Sequence, residues 1–253
     1  MDKSSFGGLI LALGGIFLGL TLEGGKIAQI MQPTAAIMVL GGTIGAVMLQ
    51  FPLSVVLQAF GKLGSVFFVK EGGQSAQIDQ MVAFANKARK SGVVSLDSEL
   101  GSITDPFLKK SLMLAVDGTE PQELRKMMEL DLDNKSEHEE DIPKVFEAAG
   151  GFAPTVGIIG AVLGLIQVMQ HLDDINEVGK GIAVAFVATI YGVGLANLFF
   201  LPSSGKIKTR IREEQINREM VLEGVISILE GMNPRMLETK LKGFLVEEPE
   251  KEK

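Results

Sequence analysis

The chain has no cysteine and no tryptophan, a single tyrosine and only two histidines. Without cysteine there is no disulfide, no thiolate nucleophile and no sulfur ligand for a metal. His138 and His171 stand far apart, and neither has a second ligand at metal spacing, so each reads as a solvated or interfacial side chain. Ser–His–Asp and paired-carboxylate patterns are missing as well. The Gly157-x-x-Gly160 spacing lies in wholly apolar surroundings, which do not suit a phosphate loop. A net charge of −7 argues against nucleic acid as a partner. These absences speak against an enzyme, a resident cofactor and a bound metal.

Long apolar runs, by contrast, are plentiful. Residues 6–22, 33–56, 151–172 and 181–202 hold almost no ionisable side chain, with Glu23, His171 and Lys180 at their edges. Each run is near the ~17–25 residues that a helix needs to cross a bilayer. The 22% of charged residues keeps the remainder in water. Of the 24 Lys and Arg, twenty-two lie before the first run, between residues 57 and 150, or after Pro202. Only Lys26 and Lys180 fall in the short connections 23–32 and 173–180. Positive residues stay on the cytoplasmic side. Both termini and the central block are therefore expected on that side of the membrane.

The expected fold is an all-α, multi-pass membrane protein with four transmembrane helices in a two-plus-two arrangement and a large helical cytoplasmic domain. Its parts are a first helix pair (1–56), a cytoplasmic helical domain (57–150), a second helix pair (151–203) and a helical tail (204–253) with a disordered end at 247–253. No small-x-small cleavage site follows Leu22, so the first run reads as a retained helix and not a signal peptide. Within the cytoplasmic block, Ser75 can cap a helix with Ile78, Met81, Val82 and Ala85 on one face, stopped at Ser91-Gly92. Thr104 or Asp105 caps the next, ending at Asp117-Gly118, and Thr119 with Gln122 has the spacing of a capping box. From Asp141 the chain is expected to run as helix into the third apolar run. Residues 203–230 continue the fourth run as a long amphipathic helix.

Two stripes of small residues mark the second pair. Pro154, Gly157, Ala161 and Gly164 fall on one face of the third run; Ala185, Thr189, Gly192 and Ala196 fall on one face of the fourth. Such stripes let helices approach closely in lipid. They suit packing within one chain, or a smooth wall along another helix or an ion path. No Asp or Glu lies inside any run, and the polar groups there include the hydroxyls of Thr43, Thr155, Thr189 and Tyr191. A proton or cation relay normally uses a buried Asp, Glu or His. An ion-conducting assembly built on this chain must take its titrating group from a partner.

These segments resemble a known family. The stretch Phe152-Ala153-Pro154-Thr155-Val156-Gly157-Ile158-Ile159-Gly160 is similar to the third-helix motif of the MotA flagellar stator subunits. Residues 183–192 with Asn197-Leu198-Phe199-Phe200-Leu201-Pro202 look like their fourth helix, and 18–43 like their first hairpin. The resemblance covers nearly the whole chain within the MotA/TolQ/ExbB proton channel family. It implies a homo-oligomer, a pentamer, around a single-span MotB-type partner that supplies the membrane aspartate. Ion flow along that boundary would turn the rotor through its FliG protein. Pro154, Thr155, Ala161, Thr189 and Tyr191 are implied in the ion path, and Pro154 and Pro202 in coupling. Arg89, Lys90, Asp97 and Glu99 match the family's rotor-binding charges.

Sodium-driven relatives carry hydroxyls at the positions of Ala161 and Ala188. Both are methyls here, and dehydrated sodium needs several oxygens. The expected transported ion is H+ rather than Na+. The alternative within the family is an ExbB/TolQ-like energiser of outer-membrane transport, against which the fourth crossing and the rotor-like charges count. A small-solute transporter would show a polar group at mid-membrane and an unwound helix.

Overall fold

A computed structural model describes residues 2–68 and 73–245, and the regular elements among these are all helical. The expected disordered end, 247–253, lies outside the described residues. By its contacts the chain divides into two compact units, Met1–Val69 with Glu139–Arg210, and Lys70–His138 with Ile211–Lys253. Residues 57–68, 139–150 and 204–210 thus pack within the first unit.

In the first unit, Asp2 caps α1 (Lys3–Leu22), its carboxylate accepting from the backbone N–H groups of Ser4 at 3.1 Å and Ser5 at 3.2 Å. This helix is apolar all round and buries none of its membrane-length window within the chain. Such a helix needs lipid or another chain around it. Gly24, at φ +80°, and a 3-10 turn (Ile27–Ile30) reverse the chain into α2 (Pro33–Gln50).

The run 33–56 is not one helix but two. Phe51 is extended (φ −120°, ψ 146°), and α3 (Leu53–Lys62) starts after Pro52. A proline ring pushes its predecessor out of the α region and offers no N–H to the turn before it. A one-turn α4 (Gly64–Phe67) follows.

The second unit opens with α5 (Gln74–Ser91), which Gly73 caps, so Ser75 lies inside its first turn and not at its cap. Ile78, Met81 and Ala85 are buried with Phe84, and Gly92 at φ +81° ends the helix. A 3-10 turn (Val93–Glu99) leads to α6 (Pro106–Val116), whose cap is Asp105, accepting from Phe107 N–H at 2.9 Å. The helix begun near Thr119 and the one running from Asp141 into the third apolar run are one helix, α7 (Pro121–Gln170). It opens later than the Thr119 spacing suggests: Pro121 takes the first position, where a missing N–H costs nothing, and the Glu120 carbonyl accepts from Leu124.

Helix α7 carries Pro143 and Pro154 in its interior. Such prolines persist where neighbouring helices and local adjustments satisfy the carbonyl freed four residues earlier; beside Pro143, whose own carbonyl is not the freed one, Ser204 Oγ donates to that proline's carbonyl at 2.9 Å and ties residue 204 to α7. Asp174 caps α8 (Ile175–Leu195). A π-turn (Ala196–Phe200) joins it without interruption to α9 (Leu201–Leu229), so Pro202 does not stop the helix. A final α10 (Pro234–Lys242) covers the second unit's core with Leu237 and Leu241. Among the described residues, four helices are long and apolar enough to cross a membrane: α1, α2, α7 and the continuous stretch Ile175–Leu229.

Candidate functional site

The seam between α7 and α8 is built on glycine. A Cβ placed on Gly157 would lie 2.8 Å from the Ala188 carbonyl oxygen and 3.2 Å from Gly192 Cα. One on Gly192 would lie 2.4 Å from the Ala153 carbonyl, and one on Gly164 would lie 2.9 Å from the Gly181 carbonyl. Backbone meets backbone at these three positions, while a Cβ on Gly160 would meet the Ala188 methyl at 2.9 Å. In lipid this kind of packing, and not hydrophobic burial, holds helices together.

The close faces are Ala153, Gly157, Gly160 and Gly164 against Gly181, Ala185, Ala188 and Gly192. Gly157, Gly164, Ala185 and Gly192 were in the stripes read from sequence. Pro154 and Ala161, both half-buried, and Thr189 flank the seam instead. A repeat of three and four residues describes neighbouring helix faces equally well, so spacing alone could not choose between them.

The hydroxyls around the seam have partners. Thr155, which is exposed, donates to the Phe152 carbonyl at 2.8 Å, and Thr189 donates to the Ala185 carbonyl at 3.2 Å. Tyr191 does more. Its hydroxyl donates to the Ile30 carbonyl at 2.6 Å and accepts from the Gln32 N–H at 3.2 Å, where Gln32 caps α2. One side chain thus ties α8 to the first hairpin. On the outward flank of α7, Ile158, Ile159, Val162, Leu163 and Ile166 are exposed, and no Asp, Glu, Lys or Arg lies between residues 151 and 170.

Below Tyr191 the π-turn rearranges the backbone. Leu201 N–H bonds the Ala196 carbonyl, five residues back. Pro202 can offer no N–H to Leu198 four residues back, and the wider turn moves the ring clear of that carbonyl. The register change thus lies directly ahead of Pro202. Asp2 meets α9 one turn later, paired with Lys206 at 2.6 Å and Arg210 at 2.7 Å. The Lys206 hydrogen bond, with those from Ser4 and Ser5, holds the Asp2 carboxyl well below the ordinary carboxylate range. Nothing in the sequence spacing points to this cluster, since the partners are 204 and 208 positions apart.

In the second unit, Arg89 and Lys90 close α5, where cations suit the helix C-terminus. The Gly92 turn folds the 3-10 segment back, so that Lys87 pairs with Glu99 and reaches Ser98 Oγ at 2.8 Å. Arg89, Lys90 and Asp97 are exposed and Glu99 is half-buried.

The family model described as the MotA/TolQ/ExbB proton channel family matches residues 99–220, and that described as Motility protein A N-terminal matches residues 6–92. The chain is 34% identical to Motility protein A of Bacillus subtilis, over 97% of this chain and 91% of that protein.

The chain belongs to the MotA/TolQ/ExbB proton channel family.

Solved members of the family have its fold. The structure of C. jejuni MotAB superposes with a TM-score of 0.92 at 31% identity, covering 99% of this chain and 98% of that one. The flagellar MotAB stator complex from Bacillus subtilis gives 0.86 at 33%, over 97% and 96%. MotA/TolQ/ExbB membership, with the apolar helices, makes the chain a multi-pass protein of the inner membrane.

Proposed function

We propose that the chain is a flagellar motor stator subunit. Copies of it, five by the family resemblance, surround a single-span MotB-type partner. Ions move along the boundary between the two, and the resulting steps turn the flagellar rotor. The observation that carries this reading is the seam of α7 and α8. It is a close-packed backbone wall with an exposed apolar flank and no ionisable side chain in the membrane part of α7. A wall of this kind can bound an ion path but cannot hold the ion, so the titrating carboxylate belongs to the partner.

The transported ion is H+, in this reading. Ala188 is fully buried and a Cβ on Gly160 would lie 2.9 Å from its own Cβ, so the position offers neither an oxygen nor room for a dehydrated cation. The electrical part of the driving force is ~2.3 kcal/mol per charge per 100 mV. That suffices to bias a step between near-equal packings. Pro154, Thr155, Ala161, Thr189 and Tyr191 border the path, with Pro154 and Pro202 coupling it to movement. Arg89, Lys90, Asp97 and Glu99 meet the rotor protein FliG, and both termini are cytoplasmic.

Deletion of the chain tests the reading. Paralysed cells that still assemble flagella are the expected result; normal swimming with failed iron-siderophore uptake would point to an energiser of outer-membrane transport instead. Swimming speed that tracks sodium and ignores a protonophore would overturn the choice of ion.

A further inference from the structure

Within the first unit, the start of α1, α4 and the π-turn enclose a cleft of about 320 Å³. Its two ends differ in chemistry. Ser4, Ser5, Ser203 and Lys206 line it near Phe67, whose carbonyl accepts from the Asp2 N–H at 2.9 Å, while Leu9, Ala12, Leu198 and Phe199 line it further along α1 and the π-turn. Asn197 also lines that part, its amide donating to the Val193 carbonyl at 2.9 Å. Polar groups gathered at one end of an apolar slot match an amphiphile whose head and tail are distinct.

The charge at the polar end has a sign. Asp2 is 8% exposed and already engaged by Lys206 and Arg210, while Lys3, next in the chain, is exposed on the first turn of α1. Lys206 Nζ lies 2.6 Å from Asp2 and 3.4 Å from Ser4 Oγ, two partners for three N–H donors. Lys3 and Lys206 together outnumber Asp2. We propose that this cleft binds an anionic phospholipid, its phosphate against Lys206 and the Ser5 hydroxyl and its acyl chain along Leu9, Ala12 and Leu198.

Lipid fits this place better than a second copy of the chain. Helix α1 exposes apolar residues on every side, so the helix that walls the cleft is of the kind that stands in hydrocarbon. A second copy laying an apolar helix into the slot would bury the remaining N–H of Lys206 without a partner, which is costly. A phosphate headgroup supplies that partner. The assignment to the cytoplasmic leaflet, where anionic lipids concentrate, rests on the orientation proposed above. The site adjoins Pro202 and the π-turn, so a bound lipid would stiffen the segment where the helix changes register.

The missing tryptophan provides the test. A Phe199→Trp variant of the full chain, assembled with its partner, places a new fluorophore on the cleft, and the wild-type complex gives the background from the partner. In phosphatidylcholine vesicles, brominated phosphatidylglycerol should quench it about fivefold more per mole than brominated phosphatidylcholine, the preference that one lysine supplies at an anionic surface. Adding Lys206→Gln should abolish the preference and Lys206→Arg should keep it. A Leu11→Trp reporter on the outer face of α1 should show none. If Lys206→Gln does not assemble, Ala12→Phe, which fills the apolar end without touching the ion pairs, should remove the preferential quenching while leaving complex size unchanged. Equal quenching by the two lipids would overturn the proposal. So would complexes that fall apart on Ala12→Phe, because a neighbouring subunit would then occupy the cleft. Neither readout depends on swimming, so the lipid site and the stator reading can fail separately.

Discussion

Gly192 lies so close to Ala153 that a Cβ on it would stand 2.4 Å from the Ala153 carbonyl oxygen. The obstacle is backbone and cannot rotate away. Gly192→Ala must therefore push α8 off α7, at about 1–3 kcal/mol for overpacking of this kind. Gly157→Ala meets the Ala188 carbonyl at 2.8 Å and should behave alike. Gly194, two residues on, has nothing within 4 Å, and Gly194→Ala should be neutral or slightly stabilising. Thermal unfolding of the three variants in detergent, with swimming speed alongside, separates the seam from the rest of the helix. Equal effects at 192 and 194 would mean that the seam is not a close contact.

Much of this arrangement was legible beforehand, and the misses share a cause. The apolar runs, the Asp105 cap, the Gly92 and Gly118 stops and the buried faces of α5 and α9 follow from local periodicity and turn chemistry, which act over a few residues. The break at Phe51 cannot be read from the apolar run, because proline is tolerated inside α7 and not at the end of α2, a choice that neighbouring helices make. The seam face was placed one step round because Ala153 and Ala188 are as small as Ala161 and Ala196. The Asp2–Lys206 pair and the Tyr191–Ile30 bond join distant parts of the chain, and periodicity carries no information about them.

Tyr191 separates a structural tie from a proton carrier. Tyr191→Phe removes the bonds to Ile30 and Gln32, two hydrogen bonds worth about 1 kcal/mol each. The expected outcome is a complex less stable by about 1–2 kcal/mol that still conducts ions and swims slowly. Ion flux through the reconstituted complex decides the matter. Complete loss of flux with unchanged stability would make the hydroxyl part of the conducting chain.

Glu223 should give the second unit a measurable acid dependence. Its carboxylate accepts from Arg125 and from Lys240 at 2.7 Å, tying together α7, α9 and α10. The Arg125 hydrogen bond, seconded by Lys240, lowers its pKa below the ordinary 4.5. A carboxylate with a depressed folded-state pKa stabilises fully above the unfolded value and loses that stabilisation as pH falls through the folded value. Glu223→Gln should therefore cost up to about 1 kcal/mol at neutral pH, since solvent screens the pair. Below 4.5 the gap to wild type should close. A gap that is constant with pH would show that packing, and not charge, is what the substitution disturbs.

Pro202 tests whether register or flexibility matters at the π-turn. With alanine there, the Leu198 carbonyl can accept from residue 202, and the helix can return to regular α geometry. Regular geometry turns everything downstream by about 100° relative to the wild type, because the π-turn holds one residue more than an α-turn would. Pro202→Ala relieves the roughly 3 kcal/mol that proline costs a helix interior but displaces the contacts of Ser204, Lys206 and Arg210, so it should insert in the membrane and yet fail to swim. Deleting Phe199 in the same variant removes the extra residue and restores the wild-type facing of α9 without a π-turn. If facing is what couples the two ends of the helix, the double variant should recover a substantial fraction of wild-type speed. If it stays paralysed while its membrane assembly and ion flux are normal, the wider turn itself is required and the argument from register is wrong.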